Sequence, residues 1–237
     1  MIDILAIGAH PDDIELSCAG TLLKQISQGN SVAILDLTQG ELGTRGNGPL
    51  RLKEARIAAD ILGVQDRDNL NFKDGFFELN EAHIRAVVEV IRDKKPRIIL
   101  CNAVDDRHPD HGRGAELVKK ACFYSGLVKF ETKKDGNIQE TWRPESIYNY
   151  IQFKYIRPDF LVDITAHFDK KMASVKAYES QFYNPDSDEP ETMISSKGFL
   201  EFIEARAIEF GRIIGAKYAE GFTVQRIPEV TDLNHLK

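Results

Sequence analysis

The feature that most constrains the fold is a regular alternation between short apolar runs and segments with helical periodicity. The run from Ile2 to Ala9 is almost wholly apolar and is cut off by a polar turn. The next segment, 14–28, has apolar residues at helical spacing and ends at Gly29. Apolar runs of this length between helices are typical of strands that are buried in a parallel sheet. The sequence therefore predicts an α/β fold with a mostly parallel β-sheet and helices on both faces.

The alternation continues along the chain without a linker or an internal repeat, so we expect one domain over residues 1–237. The expected strands are 2–9, 31–37, 68–72, 97–102, 146–152 and 160–164. The expected helices are 14–28, 50–62, 80–94, 110–123, 164–183 and 197–217. The polar stretch 184–196 joins the last two helices. We further expect a hairpin turn at 133–137 and a loosely held tail at 228–237.

The composition argues against partners that need strong positive charge or a membrane anchor. The formal net charge is -6, so no surface for nucleic acid or an anionic membrane is expected. No run approaches the roughly 18 apolar residues of a membrane helix, and the first residues lack the basic region of a secretory signal. The widely spaced Cys18, Cys101 and Cys122 fit buried thiols in a reducing compartment. We therefore expect a cytoplasmic protein.

Two clusters of histidine and aspartate each follow a predicted strand. His10 to Asp13 come directly after the first strand, and 105–111 follow the strand at 97–102. Ligands bind beyond the carboxyl ends of parallel strands, so we expect the two clusters to share one site. His10 and Asp13 can point at one cation across a turn, and a third ligand can come from His108 or His111. Three such ligands suit a catalytic zinc ion, which lowers the pKa of its water to about 7.

The remaining polar groups of the two clusters predict the acid and base of a hydrolase. Asp12 is adjacent to Asp13 and cannot easily share its metal, so we assign Asp13 to the metal and Asp12 to the proton of the water. We assign His111 to the metal because it begins a helix. His108, as an imidazolium ion, would then stabilise an oxyanion and protonate the leaving amine, with Asp110 orienting it.

Ala9-His10-Pro11-Asp12-Asp13 and His108-Pro109-Asp110-His111 resemble the two signatures of the LmbE-like, or PIG-L, deacetylases. Further matching segments are 38–46, 51–63, 106–111, 158–160, 180–182, 204–206 and 218–222. The resemblance implies a Rossmann-like fold, zinc held by His10, Asp13 and His111, Asp12 as general base, and His108 steadying the oxyanion. It also implies a homo-oligomer, with a hexamer among the expected forms. No Gly-x-Gly-x-x-Gly follows the first strand, which argues against a dinucleotide.

These matches look most similar to the bacillithiol branch of the family, whose members deacetylate N-acetylglucosaminyl malate. Malate has two carboxylates, which arginine or lysine would bind. The candidate substrate-binding residues are Arg51, Arg107, Arg45 and Glu41. The glycine-rich segment 38–49 is a candidate lid. Phe199 lies near the place where relatives have a tyrosine that reaches the active site.

Several alternatives remain open from the sequence. The substrate can be another N-acetylated sugar or a thiol conjugate instead of the malate glycoside. Two histidines and a carboxylate also describe a non-haem iron oxygenase, and the same site can hold Fe²⁺ in place of Zn²⁺. A non-catalytic module that binds sugar or metal would need no free base, and a nucleotide-binding protein is disfavoured by the missing glycine motif.

Overall fold

A seven-stranded sheet organises the computed structural model, which describes residues 1–235. The strands are β1 Ile2–Gly8, β2 Val32–Thr38, β3 Asp66–Phe72, β4 Pro96–Cys101, β5 Lys133–Lys134, β6 Asn137–Ile138, β7 Ser146–Tyr150, β8 Phe160–Asp163 and β9 Ala219–Val224. The α-helices are α1 Asp13–Ser17, α2 Ala19–Ser27, α3 Gly48–Leu62, α4 Glu81–Lys94, α5 Pro109–Ser125, α6 Phe168–Lys176 and α7 Lys197–Ile213. Two 3₁₀ helices span Thr165–His167 and Leu233–His235.

The order of the strands places a topological switch point at the first strand. The sheet runs β3-β2-β1-β4-β7-β9-β8. The five strands from β3 to β7 pair in parallel, whereas β9 is antiparallel to both β7 and β8. The expected α/β fold with a mostly parallel sheet is therefore confirmed. Strands β2 and β3 lie on one side of β1, and β4 lies on the other. At such a reversal of strand order, a crevice lies beyond the carboxyl ends of the two central strands, here β1 and β4.

Both faces of the sheet are covered, as predicted. On β1, Leu5 and Ile7 pack with α4 and α5, whereas Ile4 and Ala6 pack with α1 and α2. This alternation follows from the period-two geometry of a strand, and it places buried side chains on each face. Cys18, Cys101 and Cys122 are free and buried in these two layers.

The expected helix over 14–28 is interrupted at Cys18, where φ is -141°. The Glu220 carboxylate, which lies on β9, accepts hydrogen bonds from the backbone N–H groups of Gly20 and Thr21 at 3.0 and 2.7 Å. A side chain distant in the sequence thus caps the first turn of α2, where N–H groups lack helical partners. Local periodicity cannot reveal such a long-range cap.

Two further predictions in the second half of the chain were wrong. The expected helix over 164–183 is only Phe168–Lys176, because Tyr178 and Phe182 turn away to pack beside Ala55 of α3. The expected helix over 197–217 ends at Ile213, and the strand β9 that follows was missed. The sequence does not indicate that strand, because neither Glu220 nor Gly221 favours β-structure.

Smaller expectations can also be compared with the structure. The hairpin at 133–137 is confirmed: β5 and β6 pair across Asp135 and Gly136, both with positive φ. The tail is exposed from Gln225 to Asn234, and Leu236 and Lys237 lie outside the described residues. Within residues 1–235, no helix is long and apolar enough to cross a membrane.

Candidate active site

The turn after β1 brings three polar side chains into the crevice. Asp12 has φ of 111°, a region that costs little only for glycine, asparagine and aspartate. This backbone conformation allows α1 to begin at Asp13 directly after the turn. His10, Asp12 and Asp13 are all buried. A positive φ at a buried polar cluster is a common property of functional sites.

The Asp13 carboxylate is the most completely bonded group of the cluster. Its Oδ2 accepts hydrogen bonds from the His10 backbone N–H at 3.0 Å and from Asn102 Nδ2 at 2.9 Å. Its Oδ1 accepts one from Gln152 Nε2 at 3.1 Å and lies 3.1 Å from His111 Nε2. Burial alone would raise the pKa of Asp13, but His111 and His10 hold it well below its usual range. Asp13 is thus a fixed, ionised carboxylate.

His10 lies among three carboxylates. Its Nε2 is 3.0 Å from Asp74 Oδ1 and 3.4 Å from Asp110 Oδ2, while its Nδ1 is 3.5 Å from Asp13 Oδ2. Burial opposes the charged ring, yet Asp110, Asp13 and Asp74 raise the pKa of His10 well above its usual value. The surroundings of this ring therefore favour positive charge.

The second cluster begins α5 and supplies His111 and His108. Asp106 Oδ2 lies 2.5 Å from His111 Nδ1, which turns His111 Nε2 towards Asp13. A carboxylate behind a histidine is the usual device that fixes the tautomer of a metal ligand. Burial lowers the pKa of His111, but Asp13 and Asp106 outweigh it and raise the value to about 9.

His108 and Asp110 are arranged differently from the sequence-based expectation. Burial, together with His10 and His111, lowers the pKa of His108 to about 4, which disfavours the expected imidazolium ion. The Asp110 backbone N–H donates to His108 Nδ1 at 3.3 Å, which leaves the ring proton on Nε2. The Asp110 carboxylate does not orient His108, because it faces His10, Gly75 N–H and Arg113.

Asp12 and Arg51 form a buried pair beside this cluster. Arg51 Nη2 donates to Asp12 Oδ2 at 2.8 Å, and Arg51 also bonds the carbonyls of Pro11 and Gly40. Burial raises the pKa of the Asp12 carboxyl to about 7, and the Arg51 guanidinium opposes this shift. Arg51, expected to bind substrate, therefore positions Asp12 in this structure.

The donor atoms fit a divalent cation. Ring nitrogens of His10, His108 and His111 all lie within 4.8 Å of one another, and both oxygens of Asp13 face this group. The carboxylates around His10 and His111 stabilise positive charge at this position. A bound cation would supply that positive charge. Imidazole and carboxylate are the ligands of catalytic zinc and also of non-haem iron. His10, Asp13 and His111 remain the proposed ligands.

A cavity of about 590 Å³ opens beside the cluster and reaches between the segment 39–47 and α7. Its polar end includes Asp12 and His108, and its other wall includes Phe153, Phe199 and Phe202. Phe199 is buried and stacks on Phe182 with ring centroids 6.0 Å apart. Its volume lies within the usual range of pockets that hold small-molecule ligands.

The other predicted substrate residues have different surroundings. Arg45 is buried and bonds Ser187 Oγ at 2.6 Å and Glu189, so it ties the segment 39–47 to 184–196. Glu41 accepts a hydrogen bond from the Asp74 backbone N–H at 2.8 Å and does not line the cavity. Arg107 lines the cavity and lies over the ring of Phe153. Arg45, Arg51 and Arg107 all line the cavity, and Arg107 is the one of the three with no carboxylate within 4.0 Å among residues 1–235.

Sequence reasoning missed four residues that hold the cluster together: Asp74, Asp106, Asn102 and Gln152. Asp106 and Asn102 lie within or beside the second motif, so their positions at a strand end were a usable signal. Asp74 follows β3 and Gln152 follows β7, on strands at either side of the switch point. Nothing in the local pattern marks these two, because their roles depend on how the strands are ordered in the sheet.

Comparisons with known proteins identify the family of this chain. Residues 5–122 match the family described as PIG-L: GlcNAc-PI de-N-acetylase. Diacetylchitobiose deacetylase of Thermococcus kodakarensis is 30% identical over 92% of this chain and 81% of its own length. The crystal structure of the conserved protein TT1542 from Thermus thermophilus is 34% identical, covers 98% of both chains and has a TM-score of 0.86. The chain belongs to the PIG-L family of deacetylases.

The expected position within the bacillithiol branch is not supported to the same degree. A probable N-acetyl-α-D-glucosaminyl L-malate deacetylase 2 of Bacillus anthracis is 26% identical over 76% of this chain and 81% of its own length. The diacetylchitobiose deacetylase is more similar over a larger part of the chain. The family and the deacetylase class are confirmed, while the similarity to the malate branch is weaker than the sequence motifs indicated.

Proposed function

We propose that this protein hydrolyses the N-acetyl amide of an N-acetylglucosamine-type sugar with the help of a divalent cation. The observation that carries the proposal is the juxtaposition of Asp12, held by Arg51, with the His10, Asp13 and His111 group at one end of the cavity. A metal-dependent hydrolase needs a general base beside its metal ligands, whereas a binding module does not. The similarity to diacetylchitobiose deacetylase supports a glucosamine derivative as substrate.

The chain's own residues account for the proton transfers. Zinc bound at the site would polarise the amide carbonyl and lower the pKa of water. Asp12 takes one proton from the attacking water as oxygen adds to the acetyl carbon. His108 donates a hydrogen bond from its Nε2–H to the oxygen that gains negative charge, and the proton stays on the ring. Asp12 then gives the proton to the sugar nitrogen, the C–N bond breaks, and the free amine leaves together with acetic acid, which loses its remaining proton to water and becomes acetate.

The decisive experiment is an amine-release assay on a panel of N-acetylated sugars. The panel contains N-acetylglucosamine, diacetylchitobiose, N-acetylglucosaminyl malate and a mycothiol-type conjugate. We expect amine release from at least one member, loss of release after dialysis against a chelator, and recovery on addition of Zn²⁺ or Fe²⁺. Retention of full activity in the metal-free protein, or no release from any N-acetyl sugar, would contradict the proposal.

The more specific assignments are also proposals. The comparisons support diacetylchitobiose or a similar short oligosaccharide better than N-acetylglucosaminyl malate. Metal analysis of protein purified without added metal distinguishes zinc from iron. A homo-oligomer is tested separately by light scattering of the purified protein.

A further inference from the structure

Phe76 is an exposed aromatic side chain at the rim of the cavity. It is 62% exposed, which is the largest value for any phenylalanine, tyrosine or tryptophan within residues 1–235. The other exposed aromatic side chains are Phe123, Tyr155 and Tyr183, and none of these lines the cavity, whereas Phe76 does. Large aromatic side chains are mostly buried, and exposed apolar surface beside a cavity is typical of ligand-binding sites. Packing in the core therefore does not account for the position of Phe76.

The backbone that carries Phe76 is fixed to the reactive cluster. Phe76 follows Asp74 and Gly75 in a turn that comes directly after β3. In this turn, Asp74 Oδ1 lies 3.0 Å from His10 Nε2. The Gly75 backbone N–H donates to Asp110 Oδ2 at 2.8 Å, and that same carboxylate oxygen lies 3.4 Å from His10 Nε2. The position of Phe76 is therefore set by the carboxylates that surround His10.

The groups next to Phe76 give the rim both apolar and polar character. The Lys73 ammonium lies over the Phe76 ring, 4.8 Å from its centroid, so it covers one face and leaves the other for a ligand. Leu42 is 59% exposed and also lines the cavity, and its backbone N–H donates to Asp74 Oδ2 at 3.0 Å. The exposed Thr44 adds a hydroxyl group to the lining of the cavity. A ligand with C–H faces and hydroxyl edges matches this mixture better than a purely apolar one.

We propose that Phe76 is a stacking platform for a second pyranose ring, linked to the amino sugar whose acetamide is hydrolysed. The faces of a β-linked glucose-type ring carry C–H groups, whose hydrogens fit the negative face of an aromatic ring. The hydroxyl groups at the edge of that sugar can then reach Lys73 and Thr44. The inference rests on the proposed function, because it takes the first sugar to lie with its acetamide near Asp12. Phe76, which was not among the predicted substrate residues, is thus a specificity-determining residue that favours a disaccharide over a monosaccharide.

Binding of free amines, which are the products of the proposed reaction, tests the platform without turnover. Zinc-loaded protein is titrated with glucosamine, with the β-linked glucosamine disaccharide and with butyl β-glucosaminide, and binding is measured by calorimetry. We expect the wild type to bind the disaccharide about tenfold more tightly than either of the other ligands. Phe76→Ala should remove most of this preference. Phe76→Tyr, which keeps an aromatic face, should retain it.

The matched control is Phe123→Ala, which removes another exposed phenylalanine from α5, outside the cavity. It should keep the wild-type preference for the disaccharide. The platform is overturned if the wild type binds the disaccharide no more tightly than glucosamine, or if Phe76→Ala keeps the preference. It is also overturned if the butyl glycoside binds as tightly as the disaccharide and loses as much affinity in Phe76→Ala, because the ring is then a general apolar contact.

A kinetic experiment then connects the platform to substrate choice. N-acetylglucosamine and diacetylchitobiose are compared in the amine-release assay. We expect Phe76→Ala to lower the ratio of kcat/KM for the disaccharide over the monosaccharide about tenfold, and Phe123→Ala to leave that ratio unchanged. An unchanged ratio in Phe76→Ala would refute the platform. Absence of amine release from both sugars would instead contradict the proposed function, and the titrations with free amines would still decide the platform.

Discussion

The two ends of the cavity are built on different principles. At the end beyond β1 and β4, charged groups are paired and bonded repeatedly: Asp13 accepts three hydrogen bonds, and His111 is held by Asp106. At the wall formed after β7 and on α7, Arg107 lies over the ring of Phe153 and Arg206 over that of Phe202. Neither arginine has a carboxylate partner in residues 1–235. At the first end the charged groups are paired with other residues of the protein, whereas at the second the charges of the two arginines are not matched by a nearby carboxylate. The contrast separates the groups to which we assign the chemistry from a wall on which charges are paired less completely.

The largest effect on the reactive end is expected from Asp12→Asn. Asparagine tolerates the positive φ and keeps the bond with Arg51, but it cannot accept the proton of the attacking water. We expect kcat to fall about 10²- to 10⁴-fold with metal content unchanged, as measured by amine release and elemental analysis. Asp105→Asn, at an exposed aspartate that pairs with Lys154, is the control. A loss of less than tenfold in Asp12→Asn would remove Asp12 from the mechanism.

Lys171 on α6 and Glu220 on β9 form a buried ion pair on the cavity wall, 2.6 Å apart and each 3% exposed. Glu220→Gln leaves Lys171 as a buried cation without its partner and weakens the cap of α2. Loss of one partner of such a pair should lower the free energy of unfolding by about 3–5 kcal/mol, measured by urea denaturation. Adding Lys171→Met should recover part of this loss. If Glu220→Gln is as stable as the wild type, the ion pair does not stabilise the fold.

A smaller effect on the reactive end is expected from Asp106→Asn. The amide can no longer stabilise positive charge on His111, although it can still occupy the same space. We expect metal affinity to fall about 10- to 100-fold, measured by competition with a fluorescent zinc chelator. Activity at saturating metal should recover most of its wild-type value. If affinity is unchanged, His111 is not a metal ligand or does not need this support.

The smallest effect should come from Glu189→Ala at the outer rim. Glu189 holds Arg45 and accepts a hydrogen bond from the Gly46 backbone N–H at 3.0 Å, but its side chain is 44% exposed. We expect less than about 1 kcal/mol of lost stability, as for other exposed pairs. Limited proteolysis within 184–196 should nevertheless become faster. Equal cleavage rates would mean that this contact does not anchor the segment.

The position of a site residue could be predicted from the sequence where it depends only on which strand precedes that residue. His10, Asp12 and Asp13 come after an apolar strand, so their place at the edge of the sheet could be predicted, and the structure brings them beside His111. Arg51 was less predictable, because its pairing with Asp12 depends on how α3 packs over the turn. The wall of the cavity depends on still more distant contacts, such as that between Phe153 and Phe202.

The second half of the fold shows the same limit. Glu220 resembles an ordinary surface residue in the sequence, and its burial becomes understandable only once α2 lies above β9. The mistaken helix over 164–183 has a similar origin, since Tyr178 is withdrawn from helical geometry by packing against α3. Patterns local to one segment do not contain these tertiary preferences.

The positive φ of Asp12 limits how this position can vary through mutation. Only glycine, asparagine and aspartate adopt this backbone geometry at low cost, and among these only aspartate can carry a proton. A change to glutamate, although it preserves the acid, would force a longer side chain onto a main chain that disfavours it. Descendants of this protein that lose the carboxylate are therefore expected to keep the turn with asparagine or glycine, and to retain the fold of the site without its proposed base.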